Sequence, residues 1–192
     1  NIYKGNNRGT IRTDNQLKLI SDNFEYLKKI NRLEANGNVQ LFDLNNNITI
    51  STQKIFYLKN EEKIFTVGKT LIKISNKYNI EGFDLTFFKN KMILSSKKSA
   101  IITDSESNTY KLEQFQYSIN QEILKGKNIT AITNDKKNKG DEFFFKTGFF
   151  DLKKNKFLGK DIIAKFHKNL FGNNKNDPRI SAVSGYGDEV NT

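Results

Sequence analysis

The chain has 192 residues, enough for one good-sized domain or at most two small ones. It contains no cysteine, which excludes disulfides, thiol catalysis and cysteine-ligated metals. Three interpretations of the net charge of +11 are ranked in order. A solvated surface is favoured, attraction to an anionic partner such as a phosphorylated lipid is second, and binding of nucleic acid is third.

No apolar run approaches the roughly 18 to 20 residues of a membrane-spanning helix. The chain begins at Asn1, without a methionine or a signal-like segment. We therefore expect a piece of a longer protein.

A pattern of aromatic, polar turn, apolar residue and small residue first occurs in FEYLKKINRLEANG, from Phe24 to Gly37, and then returns four times. The copies are spaced by 30 to 33 residues, as measured between the aromatic anchors Tyr26, Tyr57, Phe87, Tyr117 and Phe150. After each turn comes an apolar residue, namely Leu33, Ile64, Leu94, Leu124 and Phe157, and a small residue follows within a few positions. Five copies in phase predict an internal structural repeat.

Extended segments alternate between apolar and polar residues on either side of each turn. Leu33, Ala35, Gly37, Val39 and Leu41 would share one face of a strand, with polar residues between them. A second set of polar breaks separates the copies, at residues 45–47, 76–79, 104–107 and 134–141. This spacing predicts two antiparallel strands per repeat, with one buried face and no long helix.

Each copy is interpreted as a hairpin corner whose glycine bends the sheet or lets another backbone approach closely. Repeated bends would fold the sheet over an apolar interior. After Gly126 the residues Ile129 and Ala131 fall out of phase with the glycine, which predicts a bulge there.

Groups for catalysis are scarce. His167 is the single histidine and is expected to be a partly exposed strand residue. Asp104-Ser105-Glu106 is a turn cluster that would bind calcium weakly at best. No nucleophile elbow or phosphate-binding glycine loop is present, so the sequence argues against an enzyme and predicts no cofactor and no metal site.

Aromatic residues fall on both faces of their strands in Phe143-Phe144-Phe145 and Phe149-Phe150. A double-sided core, or an edge that a partner covers, explains this arrangement better than a surface for stacking bases.

The segment ISDNFEYLKKINRLEANGNVQL resembles the OstA-like periplasmic domain of the LptA/LptC/LptD family of lipopolysaccharide transport proteins. The resemblance rests on a tyrosine-bearing strand, a turn and then Ala35, Gly37, Asn38 and Val39. The C-terminal stretch DPRISAVSGYGDEVNT is similar to the segment that leads into an outer-membrane barrel in the LptD branch. That branch usually has linking cysteines, which this sequence lacks.

The resemblance implies an all-β fold, a partly open β-jellyroll built from about five hairpin repeats. It also implies three regions: an N-terminal extension or edge at 1–14, the OstA-like domain at 15–172, and a linker at 173–192 toward a barrel outside this sequence. The expected location is the periplasm, attached to the outer membrane through that barrel.

The implied role is non-enzymatic transfer of lipopolysaccharide along an apolar groove toward an outer-membrane translocon. The implied partners are the lipid A acyl chains, an LptA-like bridge protein that joins by edge-strand pairing, and an LptE-like lipoprotein that contacts the barrel. The residues predicted to line the groove are Tyr26, Leu33, Ala35, Val39, Leu41, Ile48, Ile50, Tyr57, Ile64, Ile72, Ile74, Phe87, Leu94, Tyr117, Leu124, Phe150 and Phe157.

Two other hypotheses stay open from the sequence. A carbohydrate-binding or carbohydrate-active β-solenoid would need a ladder of carboxylates on one repeat face, and none is found. A basic module that binds nucleic acid would lose affinity steeply with salt, whereas capture of acyl chains would survive it.

Overall fold

The computed structural model describes residues 1–13, 16–133, 140–167 and 178–187. These residues form antiparallel β-strands joined by turns, with three single turns of 3-10 helix at Lys28–Ile30, Lys59–Glu61 and Lys89–Lys91. The chain divides into two compact units, Asn1–Lys98 and Ser99–Thr192. Among the described residues, no helix is long and apolar enough to cross a membrane.

The first unit holds ten of the described strands. They are β1 (Ile2–Gly5), β2 (Gly9–Arg12), β3 (Leu17–Ser21), β4 (Asn23–Leu27), β5 (Arg32–Asp43), β6 (Ile48–Leu58), β7 (Lys63–Ile74), β8 (Tyr78–Phe83), β9 (Thr86–Phe88) and β10 (Ile93–Ser96). The long strands β5, β6 and β7 pair in sequence at the centre. The two short strands β3 and β4 share β5 as their partner, and β8 and β9 share β7.

The second unit holds the other seven described strands, which pair mostly with their neighbours in sequence. They are β11 (Ala100–Asp104), β12 (Thr109–Leu112), β13 (Gln114–Ser118), β14 (Ile123–Ile132), β15 (Glu142–Asp151), β16 (Lys156–Lys165) and β17 (Arg179–Gly187). Again two short strands, β12 and β13, share the long strand β14.

All five predicted corners are present. In each, the fifth residue after the aromatic anchor is left-handed, with φ between 47° and 55°: Asn31, Glu62, Met92, Glu122 and Asn155. This conformation closes the turn and returns the chain antiparallel. Each anchor then pairs directly with the apolar residue of its own copy: Tyr26 with Leu33, Tyr57 with Ile64, Phe87 with Leu94, Tyr117 with Leu124, and Phe150 with Phe157.

Within each unit, successive corners are tied to one another. The Lys59 backbone N–H donates to the Asn31 carbonyl at 3.0 Å, and the Lys89 N–H donates to the Glu62 carbonyl at 2.9 Å. In the second unit, the Leu152 N–H donates to the Glu122 carbonyl at 2.9 Å. The corners therefore stack with the period of the sequence repeat.

Two of the repeat glycines form β-bulges in the first unit. Gly37 and Gly68 both have φ of +81°, a conformation open to glycine but strained for other residues. The pairing of β5 with β6 shifts register between Asn36 and Val39, and that of β6 with β7 shifts between Thr52 and Lys54. Both bulges lie opposite the same stretch of β6, from Thr52 to Lys54. The two bulges are therefore side by side across this strand.

The second unit uses a row of glycines instead. Gly126, Gly148, Gly159 and Gly185 are direct cross-strand partners on four neighbouring strands. A Cβ at Gly159 would come within 2.4 Å of a Phe145 ring atom. The row therefore makes room for large interior side chains that lie across it.

The change of phase predicted after Gly126 occurs two residues later, at Asn128, where φ is 47°. Before this point the buried side chain is that of Leu124, an even-numbered residue. After it the buried side chains are those of Ile129 and Ala131, which are odd-numbered. The pairing of β14 with β15 nevertheless continues without an offset, because β15 changes phase at the same level.

Two segments outside the expected central domain also form strands. In the region expected to be an extension or edge, β1 pairs with β4 and β2 pairs with β3. In the region expected to be a linker, β17 pairs with β16 through eight residue pairs. Gly185-Tyr186-Gly187, within the expected linker, is thus strand, because pairing along β16 outweighs its weak intrinsic strand preference. Residues 173–177 and 188–192 lie outside the described residues.

Candidate functional site

The residues predicted to line a groove lie on the inner side of the strands. Fifteen of the 17 are buried, and the other two, Tyr26 and Phe157, are half-buried. Ala35, Ile64, Tyr117 and Leu124 have no exposed surface at all. Most of the interior is therefore filled by the protein's own side chains, and whether these residues line a lipid groove stays a prediction.

The first unit contains a cavity of about 410 Å³. Its walls include Tyr26, Leu33 and Tyr57 from one side of the bend, and Ile11 and Thr13 from β2 and the residue after it. Because these two groups come from opposite sides of the break at Asp22, the sheet of this unit folds over on itself. Three of the predicted residues therefore meet in one cavity.

The other residues around this cavity were missed by the sequence interpretation. Like Ile11 and Thr13, the residues Tyr3, Arg12, Asn31 and Lys59 were not among the predicted groove residues. Arg12 lies in β2, in a segment expected to be an extension, whereas Asn31 and Lys59 lie in the first two corners. Tyr3 and Tyr26 stack with their ring centroids 6.3 Å apart.

Tyrosine hydroxyls brace the first two corners at the edge of this cavity. The Tyr26 hydroxyl donates to Asn31 Oδ1 at 2.7 Å, and the Tyr57 hydroxyl donates to Glu62 Oε1 at 3.0 Å. Burial raises the pKa of Tyr57 well above its usual range, and the Glu62 carboxylate adds to the shift. Asn31 also donates from Nδ2 to Asn60 Oδ1 at 2.9 Å, so it links the two corners.

The second unit has its own cavity, also of about 410 Å³. Aromatic rings form much of its wall: the centroid of Phe145 lies 5.1 Å from that of Phe150 and 5.4 Å from that of Phe157. The remaining lining residues are Tyr110, Ala131, Thr133, Phe143, Asp151, Leu152, Asn155 and Lys156. Burial, followed by the charges of Asp104 and Glu106, raises the pKa of Tyr110 to about 12.

The two aromatic runs of this unit are indeed double-sided. Phe145 and Phe150 are buried, whereas Phe149 is 36% exposed on the outer face with Lys125 Nζ 5.5 Å from its ring centroid. Lys165 Nζ lies over the Phe144 ring in the same way, 4.7 Å from its centroid. The outer aromatics are therefore covered by lysines of the same unit.

His167 lies just beyond β16 instead of within a strand. Its Nδ1 is 2.9 Å from Asp141 Oδ1, and its backbone N–H donates to the same oxygen at 2.9 Å. The Asp141 backbone in turn bonds with Thr133 at the end of β14. The pair thus ties together the ends of three strands.

The Asp104 carboxylate accepts hydrogen bonds from residues of its own turn. It accepts the backbone N–H groups of Glu106 and Asn108 and the Asn108 side-chain amide, each at 2.9 Å. In the part of the chain that the structure describes, no group of three or more His, Asp or Glu side chains is placed to bind a metal.

The hairpin corners, the bulges and the folded-over sheet define an antiparallel all-β protein of the jellyroll class. This confirms the fold class expected from the sequence. Among solved structures the chain is similar to LptH of Pseudomonas aeruginosa, described as the LptA-homologous periplasmic component of the lipopolysaccharide transport device. The TM-score is 0.58 at 14% identity, and the match covers 64% of this chain and 97% of LptH. At this identity the likeness concerns the fold.

No family model matches the sequence, and no curated protein matches it.

Proposed function

We propose that this chain is a non-enzymatic, periplasmic module that binds lipopolysaccharide and passes it along the apolar interior of its folded sheet. The observation that carries the proposal is the cavity of the first unit, walled by Tyr26, Leu33 and Tyr57, in a fold shared with a periplasmic component of a lipopolysaccharide transport device. An acyl chain in such a cavity gains about 0.8 kcal/mol for each CH₂ group removed from water.

Acyl chains would enter at these two cavities, because most of the predicted groove residues between the strands are buried against one another. Movement beyond a cavity requires the packed inner side chains to separate, and the energy for this would be supplied from outside the chain. A lipid held by apolar contact alone can slide, because such contacts have little directional preference.

Within the transport family, the proposed place is that of the LptD periplasmic domain, next to an outer-membrane translocon. The similarity of 177–192 to the segment before a barrel supports this placement. An LptE-like lipoprotein would then act through the barrel.

Edge-strand pairing would join the module to an LptA-like bridge. The candidate edges are β1 and β2, which pair with β4 and β3 in the first unit, and β17, which pairs with β16 in the second. Such edges can accept another strand through main-chain hydrogen bonds.

Site-specific photo-crosslinking tests the lipid site. A photoreactive residue replacing Tyr26 or Phe157, which are half-buried in the two cavities, should label lipopolysaccharide. The same residue at Gln40, which is exposed on the outer face of β5, should not. Val39 and Ile50 are each 1% exposed, so labelling there would report lipid that penetrates between the buried side chains of the first unit. Equal labelling at every position would contradict the proposal.

A further inference from the structure

The geometry of the first-unit cavity points to a ligand that combines acyl chains with a phosphate-bearing headgroup, recognised by Arg12 and Lys59. The inference rests on the proposed lipid function and specifies which part of the ligand this cavity selects. Both cations belong to the lining, Arg12 from the end of β2 and Lys59 from the second corner. Both are exposed, so an anion can reach them from solvent.

Among the described lining residues of this cavity, the charged ones are both basic. Its described lining residues include no aspartate or glutamate. Within the described part of the chain, neither Arg12 nor Lys59 forms an ion pair with a carboxylate, whereas Arg8 pairs with Asp22 at 3.1 Å and Lys4 with Glu25 at 3.4 Å. Two cations that pair with no described carboxylate, beside a largely apolar cavity, are suited to an anionic amphiphile.

Glu62, a carboxylate close to this site, is already engaged. It accepts the Tyr57 hydroxyl at 3.0 Å and lies 4.0 Å from Lys89 Nζ. It therefore leaves Lys59 available. The Thr13 hydroxyl accepts the Leu17 N–H at 3.3 Å and keeps its own proton to donate to a headgroup oxygen.

The second-unit cavity gives an internal contrast. It is similar in size and more aromatic, but its described charged lining residues are one aspartate and one lysine, Asp151 and Lys156. Asp151 also lies 3.8 Å from Lys154 Nζ. We therefore assign selectivity for the headgroup to the first unit, while the second-unit cavity accommodates acyl chains.

The distribution of charge favours the same assignment. Between Asn1 and Lys98 the sequence has 17 lysines and arginines against nine aspartates and glutamates, a net charge of +8 out of the total of +11. Such a field attracts anions toward the unit before any contact forms, and it weakens as salt is added.

The experiment compares three ligands on the intact chain by displacement of a fluorescent fatty-acid probe. They are bisphosphorylated lipid A, the same lipid A after enzymatic dephosphorylation, and inorganic phosphate alone. The wild type should bind the phosphorylated form about five- to tenfold more tightly, the gain expected for two exposed charge-assisted contacts. Inorganic phosphate should not displace the probe.

The variant R12Q/K59Q should bind both lipids with equal affinity. The control K73Q/K97Q removes the same net charge from two exposed lysines outside the cavity and should keep the preference. If the wild type binds both lipids equally, the inference is overturned while the proposed function stands. If the control loses the preference as fully as R12Q/K59Q, the assignment to these two residues is wrong. If neither lipid binds, both proposals fail.

Discussion

Asp22 and Asp84 have equivalent positions, each at the break between two short strands and beside a bulge glycine. The Asp22 backbone N–H donates to the Gly37 carbonyl at 3.0 Å, and the Asp84 N–H donates to the Gly68 carbonyl at 3.2 Å. The side chains complete the link: Asp22 Oδ2 accepts from Asn38 Nδ2 at 2.8 Å, and Asp84 Oδ1 accepts the Gly68 N–H at 2.7 Å. A single carboxylate thus holds each bend.

Asp84 should make the free energy of unfolding depend on pH. Its ion pair with Lys98, followed by the hydrogen bond from Gly68, lowers the pKa of its carboxyl group. A lowered folded-state pKa gives stability that is present above the unfolded-state pKa of about 3.9 and is lost as pH falls through the folded-state pKa. Asp84→Asn should therefore cost roughly 0.5 kcal/mol at pH 7, a small value because both side chains are partly exposed.

Urea unfolding at several pH values checks this expectation. The difference in unfolding free energy between wild type and Asp84→Asn should shrink as the pH falls from 6 toward 2. Glu81→Gln, which removes the exposed ion pair with Lys69, serves as the charge control. A difference that is constant over the whole pH range would show that the carboxylate charge is not what stabilises the bend.

At the scale of the element, glycine has two separate uses in this chain. Gly37 and Gly68 provide a left-handed residue at a bulge, whereas Gly126 and Gly159 provide room for large side chains across the sheet. The sequence could not separate these uses, because a glycine within a strand fits a bulge and a close approach equally well. The corners could be predicted, because an aromatic residue, a turn of fixed length and an apolar residue are all local features.

The two bulge glycines should respond differently to alanine. At Gly68 a Cβ would meet nothing within 4 Å, so Gly68→Ala bears only the left-handed strain of about 1–2 kcal/mol. At Gly37 a Cβ would lie 2.6 Å from Asp22 Oδ2 and 3.0 Å from Asp22 Cβ, so the Asp22 link must also shift. We expect Gly37→Ala to cost about 1 kcal/mol more than Gly68→Ala.

Chemical denaturation of the two variants measures this difference. A double variant that adds Asp22→Ala to Gly37→Ala should cost less than the sum of the two single variants, because the close contacts with the Asp22 carboxylate group are then absent. Equal destabilisation by both single variants would mean that Asp22 does not hold the first bend.

At the scale of the whole molecule, the inward faces of the strands followed from the sequence and the cavities did not. Alternation is local, so it predicted the buried side of β5 through Leu33, Ala35 and Val39. The first-unit cavity brings Ile11 beside Tyr57, 46 positions later, through a fold that no local pattern specifies. The strand β17 was missed for a related reason, because its glycines and serines resemble a linker until β16 is available as a partner.

The central claim is that this chain holds lipopolysaccharide by its acyl chains. Native mass spectrometry of the intact chain, mixed in turn with lipopolysaccharide, lipid A and chemically deacylated lipopolysaccharide, tests it most directly. The account predicts a complex with lipopolysaccharide and with lipid A, and none with the deacylated saccharide, because the cavities offer apolar and aromatic walls. Binding of the deacylated saccharide as strongly as of lipid A, or no complex with either acylated ligand, would contradict it.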